Sequence, residues 1–192
     1  AEISCNLGTL CNRFKAEASR HVSLSNYDSF TIVMSSNSCP YGGMAFVGGN
    51  CLSVQSYSDK SLASVKMHED GHNLGGGHGN KNNVAYKDYD DALSGSYRTR
   101  TGFNAPHRIQ FKWLDYSQVA LLTEGNHSIW NLDDVDSNRN KVLVLTSGPH
   151  TVSFRAVDND YFSSEVDGQM IEIHHHTGGS SPTNLIKELR PG

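Results

Sequence analysis

Apolar and polar positions alternate along this chain with more than one period, and the period changes partway down. Leu10, Phe14, Ala18 and Val22 recur about every fourth residue, which predicts an amphipathic helix over residues 10 to 22. Phe30-Thr31-Ile32-Val33-Met34 is a short run of β-formers closed by Ser-Ser-Asn-Ser and Cys39-Pro40, the mark of a buried strand. Met44-Ala45-Phe46-Val47, framed by Gly42 and Gly49, predicts a second strand. A helix is expected over about residues 59 to 74: Ser61 to Met67 carries no breaker, and Leu62, Val65 and Leu74 form an apolar stripe at approximately helical spacing, with Ser58 or Asp59 placed to cap it. Helix, strand, strand, helix implies a mixed α/β first half.

The texture changes after residue 78. Residues 79 to 104 are polar, rich in glycine and without a clear period. Asn104-Ala105-Pro106 reads as a helix start and His107 to Leu114 as a short helix. Beyond residue 117, β-forming runs alternate with turns: Val119 to Leu122, His127 to Trp130, Val142 to Leu145, Thr151 to Phe154 and Met170 to Ile173. These predict a small sandwich or partial barrel. The fold class expected is α+β, with a first domain over 1–115 and a β-rich C-terminal subdomain over 116–192. No internal repeat or low-complexity tract is present.

The candidate chemistry lies in the second helix. His68-Glu69-Asp70-Gly71-His72-Asn73-Leu74-Gly75-Gly76-Gly77-His78 reads H-E-x-x-H-x-x-G-x-x-H. Histidines four apart share one helix face, so His68 and His72 can grip one metal ion. Gly75 can take a backbone conformation most residues avoid, letting the chain leave the helix sharply and bring His78 back as a third ligand. Three protein ligands leave a position for water, the arrangement of a catalytic rather than a structural zinc. An accidental match in a chain of this composition is on the order of one in ten thousand. The plain alternative is a satisfied histidine pair on a helix that ends in glycine. Glu69 is the motif carboxylate placed to act as general base. Asp70 is expected to face solvent, the alternative being that it accepts a hydrogen bond from a ligand's free ring N–H.

Composition narrows the function classes. The 192 residues carry 16 Lys and Arg against 20 Asp and Glu, a net charge of −4, with no basic run, so nucleic acid is not an expected partner. No apolar run reaches membrane-spanning length. The chain begins with Ala1, as a mature or trimmed chain would. Cys5, Cys11, Cys39 and Cys51 allow three disulfide pairings, the simplest being Cys5–Cys11 with Cys39–Cys51. Their even number favours an oxidising, extracellular setting, and none has the spacing of a second zinc site. Asn126-His127-Ser128 is a glycosylation sequon too common to decide anything, and no calcium loop stands out. His174-His175-His176 is a second cluster. Strand alternation prevents all three from meeting one ion, so surface histidines are expected, with an accessory metal or pH-sensitive site as the alternative. His21, His107, His127 and His150 stand alone and read as structural.

The extended zinc motif resembles that of the metzincin clan of zinc endopeptidases. Cys39-Pro40-Tyr41-Gly42-Gly43-Met44-Ala45-Phe46-Val47-Gly48, then Cys51, is similar to the gametolysin family of extracellular metallopeptidases. So are Phe103-Asn104-Ala105-Pro106-His107 through Trp113-Leu114 and Val152-Ser153-Phe154-Arg155. The resemblance implies a metzincin-like catalytic unit of mixed sheet, backing helix and zinc helix. It implies a secreted, monomeric endopeptidase that uses one zinc ion to cleave extracellular or matrix-type polypeptide. Gly43, Met44, Ala45, Phe46 and Val47 would then be an edge strand that receives substrate as an added strand. Metzincins also carry a methionine turn beneath the ligands. The nearest match here is Asp90-Asp91-Ala92-Leu93-Ser94-Gly95, with Leu93 in the methionine's place, a swap that nearly conserves volume. Tyr86 or Tyr97 could assist or act as an extra ligand, though packing is the commoner role. Two further readings compete: a catalytically silent relative used as a binding module, and a zinc hydrolase of small amides.

Overall fold

The computed structural model describes residues 4–56, 59–89, 91–95, 102–113, 119–122, 142–146, 161–167, 170–176 and 179–189. These described residues form an α+β arrangement with two sheets and few helices. The chain divides into two compact units, Ala1–Gly76 and Gly77–Gly192.

The first unit opens with helix α1 (Leu7–Ala18), which begins where the Asn6 side chain accepts the Thr9 backbone N–H. Strands β1 (Phe30–Ser35), β2 (Gly43–Ala45) and β3 (Cys51–Ser56) form a sheet in the order β1-β3-β2, with β1 parallel and β2 antiparallel to β3. The central strand β3 has no strand counterpart in the sequence reading. Its Ser53 and Gln55 are fully buried, so the polar pattern of Leu-Ser-Val-Gln-Ser disguises an inner strand. Gln55 belongs inside because its amide is used: it accepts the backbone N–H groups of Ser38 and Cys39 and donates to the carbonyls of Cys39 and Tyr41. That fixes the approach to β2. Leu7 and Cys11 of α1 pack with Ile32, Met34, Cys39 and Cys51 as the apolar core. Helix α2 (Asp59–Asn73) contacts β2 and β3.

The disulfides differ from the simplest expected pairing. They join Cys5 to Cys39 and Cys11 to Cys51. The reason is the core: Cys11 lies on the buried face of α1, towards the sheet that carries Cys51. Cys5, ahead of the helix, meets the loop after β1, where Tyr41 Oη also donates to the Cys5 carbonyl.

In the second unit β4 (Gly79–Lys81), helix α3 (Ala105–Gln110), β5 (Val119–Leu122), β6 (Val142–Thr146), β7 (Tyr161–Asp167), β8 (Met170–His176) and β9 (Thr183–Leu189) follow. Asn104 caps α3 by accepting the His107 N–H, with Pro106 in the first turn, as the sequence predicts. Where a sandwich or partial barrel is expected, the described strands form one six-stranded sheet in the order β4-β9-β8-β7-β6-β5. Strand β4 runs parallel to β9 and β5 parallel to β6, and the other pairs are antiparallel. The expected strands at 127–130 and 151–154 lie outside the described residues, as do the sequon, His127, His150 and Tyr97. Strands β4, β7 and β9 lack the alternation that would have announced them.

His174 and His176 are buried and not surface histidines, which corrects the expectation for that cluster. Alternation does operate: His174 and His176 share a face, and His175 is half-buried on the other. Burial is tolerable because partners are supplied. His174 Nε2 lies 3.2 Å from Asp88 Oδ2, and His176 Nε2 lies 3.1 Å from the Ser181 carbonyl. Asn104 Nδ2 donates to both Asp88 Oδ2 and Thr183 Oγ1, and His107 Nδ1 sits 2.9 Å from Asp91 Oδ2. His107 is fully buried, stacked on Phe111 and edge-on to Phe103, in keeping with a structural role.

Candidate metal centre

Helix α2 ends as the motif demands. Gly75 has φ 100°, its N–H donates to the His72 carbonyl, and the Gly76 N–H donates to the Gly71 carbonyl. This pair of bonds satisfies the last carbonyls of the helix and turns the chain away. The same exit orients a ligand candidate. The Gly76 carbonyl stands 2.8 Å from His72 Nδ1, which fixes that nitrogen as the donor and leaves Nε2 as the ligating atom.

His72 Nε2 lies 3.2 Å from His68 Nε2. A tetrahedral ion with bonds of about 2.0–2.1 Å to imidazole separates its ligand nitrogens by about 3.3–3.4 Å, so this spacing fits a shared ion. His78 joins them: one ligand atom from each of His68, His72 and His78 lies within 4.8 Å of the others, the one such group among the described residues. Three imidazole nitrogens suit zinc, and also copper, iron or nickel. The His78 ring lies 4.0 Å, centroid to centroid, from that of Tyr86, a residue held at positive φ.

Glu69 is only 6% exposed. Burial, aided by the neighbouring charge of Asp70, pushes its carboxyl up to about 7. Asp70 itself pairs with Lys66 at 2.6 Å on a partly exposed face of the helix, as the solvent-facing expectation requires. The close neighbour of Glu69 is the strand for which the family resemblance implies a substrate-binding role. A Cβ on Gly43 would lie 2.6 Å from both Glu69 Oε1 and a Val65 methyl. Only glycine lets β2 approach α2 so closely, a relation invisible in the sequence because the two residues are far apart along it.

The other substrate-side residues lie along and just beyond β2, which pairs with β3 on one side. Gly43 and Ala45 are half-buried, and Met44, Phe46 and Val47 are exposed. After Val47 the chain turns through Gly48, at φ 70°, whose N–H donates to the His72 carbonyl. Leu93 is fully buried, and its carbonyl accepts the N–H of Gly79, the residue after His78. The buried pairs Asp88–His174 and Asp91–His107 were not anticipated. Their one sequence signal is the density of Asp and Asn in a tract that otherwise reads as loop.

No curated protein and no solved structure matches the chain. The family described as gametolysin peptidase M11 matches residues 4–160, which contain both candidate ligand segments and Glu69. With a match over well more than half its length, this chain belongs to the gametolysin peptidase M11 family, a family of metallopeptidases.

Proposed function

We propose that this chain is a secreted zinc endopeptidase of the metzincin type, acting on extracellular or matrix-type polypeptides as a monomer. The observation that carries the reading is the convergence of His68, His72 and His78 beside a buried carboxylate, Glu69. The three histidines would hold one zinc ion. When bound, zinc supplies Lewis acidity, polarising the scissile carbonyl and easing the ionisation of water near neutral pH.

Glu69 is the base. It takes a proton from the attacking water as the water oxygen bonds to the carbonyl carbon. It then gives that proton to the leaving amine nitrogen as the C–N bond breaks. Burial suits it to both steps, since a carboxyl raised towards neutrality holds and releases a proton at working pH. Gly43, Met44, Ala45, Phe46 and Val47 would bind the substrate backbone as an added strand, using the side of β2 that β3 leaves open. Leu93 would pack beneath the ligands in the methionine's place. The two disulfides and the lack, among the described residues, of a helix long and apolar enough to cross a membrane are compatible with an extracellular protein.

The test is hydrolysis of casein or gelatin by zinc-loaded protein. Activity should vanish with a chelator and return with zinc. Glu69→Ala should lower kcat by at least about a hundredfold, the usual worth of a general base, while one zinc stays bound. A zinc-loaded chain that cleaves no polypeptide would instead favour the binding-module reading.

A further inference from the structure

Within the second unit, the backbone around His78 is held by residues far away in the sequence. A Cβ on Gly77 would lie 2.6 Å from the carbonyl oxygens of Ser180 and Ser181 and 2.7 Å from the Pro182 nitrogen. These are backbone atoms, which cannot step aside as a flexible side chain can. The His78 carbonyl accepts the Thr183 N–H at 3.0 Å, and β4 continues from there beside β9, with Gly79 opposite Thr183. Thr183 is itself fully buried, and its Oγ1 accepts a hydrogen bond from Asn104 at 2.7 Å. On the other flank, a Cβ on Gly79 would collide with the Asp91 carboxylate.

Residues 180–183 lie beyond the 4–160 that match the family. We propose that this segment is the seat of the third metal ligand. Thr183, through its backbone N–H, and the strip Ser180–Pro182, through its closeness to Gly77, are positioning elements that hold His78 where it completes the metal site. The inference rests on the metal reading of His68, His72 and His78. Its physical basis is that His78, unlike His68 and His72, does not sit on the helix. Its place is set by what grips the backbone on either side of it. Removing a group that orients a metal ligand typically costs about 10- to 100-fold in metal affinity.

The experiment is a zinc titration against a chromophoric chelator, with X-ray absorption to count imidazole ligands, on the full chain, five single variants and one double variant. Thr183→Pro deletes the N–H that His78 uses, at the first residue of a strand, where proline is tolerated. Thr183→Val keeps the N–H and loses only the hydroxyl. Gly77→Ala forces the strip away. Gly102→Ala, where a Cβ meets nothing within 4 Å, is the control, and His78→Ala is the reference for a lost ligand.

Thr183→Pro and Gly77→Ala should weaken zinc binding about 10- to 100-fold and show two imidazoles, as His78→Ala does, whereas Thr183→Val and Gly102→Ala keep three. Adding Gly77→Ala to His78→Ala should cost no further affinity. Three imidazoles and unchanged affinity in folded Thr183→Pro and Gly77→Ala overturn the proposal. If those variants do not fold, amide exchange in the unaltered chain decides: zinc should slow exchange at Thr183, and equal rates with and without zinc overturn it. An unaltered chain that binds no zinc at all fells the metal reading, and this inference with it. Zinc bound equally by every variant that keeps His78 overturns this inference alone.

Discussion

The two compact units bury different chemistry. In Ala1–Gly76 the core around α1 and the β1-β3-β2 sheet is apolar and stapled, with Leu7, Ile32 and Met34 packed among the four disulfide cysteines. In Gly77–Gly192 the described interior holds Asp88, Asp91, Asn104, His107, His174 and His176, with Asp88 beside His174 and Asn104, and Asp91 beside His107. The stapled interior is sensitive to reductant, although the same unit also buries Glu69 and His72. The polar interior of the second unit holds no cysteine and is sensitive to pH. The candidate ligands divide in the same way: His68 and His72 come from a helix with its own terminating turn, and His78 from a backbone flanked by the polar interior.

That contrast can be broken in four ways. The largest effect belongs to the staples. Replacing Cys11 and Cys51 by Ala removes a cross-link spanning 40 residues, a loss of about 4 kcal/mol if the link acts by restricting the unfolded chain. Denaturant titration should show it, with exchange protection falling first in α1 and β3. Equal loss of protection at Asp88 and His174 would erase the distinction between the units.

Next comes Asp88→Asn, expected to cost on the order of 3 kcal/mol because it leaves His174 buried without its carboxylate. This effect depends on pH. Burial alone would raise the Asp88 carboxyl. The hydrogen bond and charge of His174, the Asn104 amide and the charge of His107 together hold it below its ordinary 3.8. Its contribution is therefore present above pH 3.8 and is lost as pH falls through the depressed folded value. The gap between the unaltered chain and Asp88→Asn should narrow in that acid range, and a constant gap would contradict the pairing.

Gly75→Ala is smaller. Forcing a side chain into a left-handed backbone at φ 100° should cost about 1–2 kcal/mol, read as a lower Tm, and an unchanged Tm would mean the helix can end another way. Smallest is Lys66→Ala. It removes an exposed i,i+4 pair with Asp70 and should change stability by less than about 0.5 kcal/mol. A large loss there would mean Asp70 is more than a solvated residue.

The sequence made helix α2 and its histidines legible because their signals are local. Four-residue histidine spacing and a glycine at the exit act within one or two turns, whereas Leu74, expected on the apolar stripe, lies just past the end of α2 and is exposed. The caps at Asn104 and Pro106 were legible for the same reason. What stayed hidden depends on pairings across long separations. Ser53 and Gln55 look like surface positions until Gln55 is seen to serve the loop at 38–41. His174 and His176 look solvated until Asp88 and Ser181 are found beside them. The cysteine pairing failed similarly, since the shortest link in sequence is not the one the folded core brings together.

The crossing of the two disulfides has a bearing on self-digestion. Residues 19–29 form an exposed stretch between α1 and β1, the kind of segment that a peptidase acting on its own kind would nick. Any cut between Cys11 and Cys39 leaves one fragment carrying Cys5 and Cys11 and the other carrying Cys39 and Cys51, still tied at two points. Autolysed molecules would therefore run as a single species without reductant and fall apart into two only when it is added.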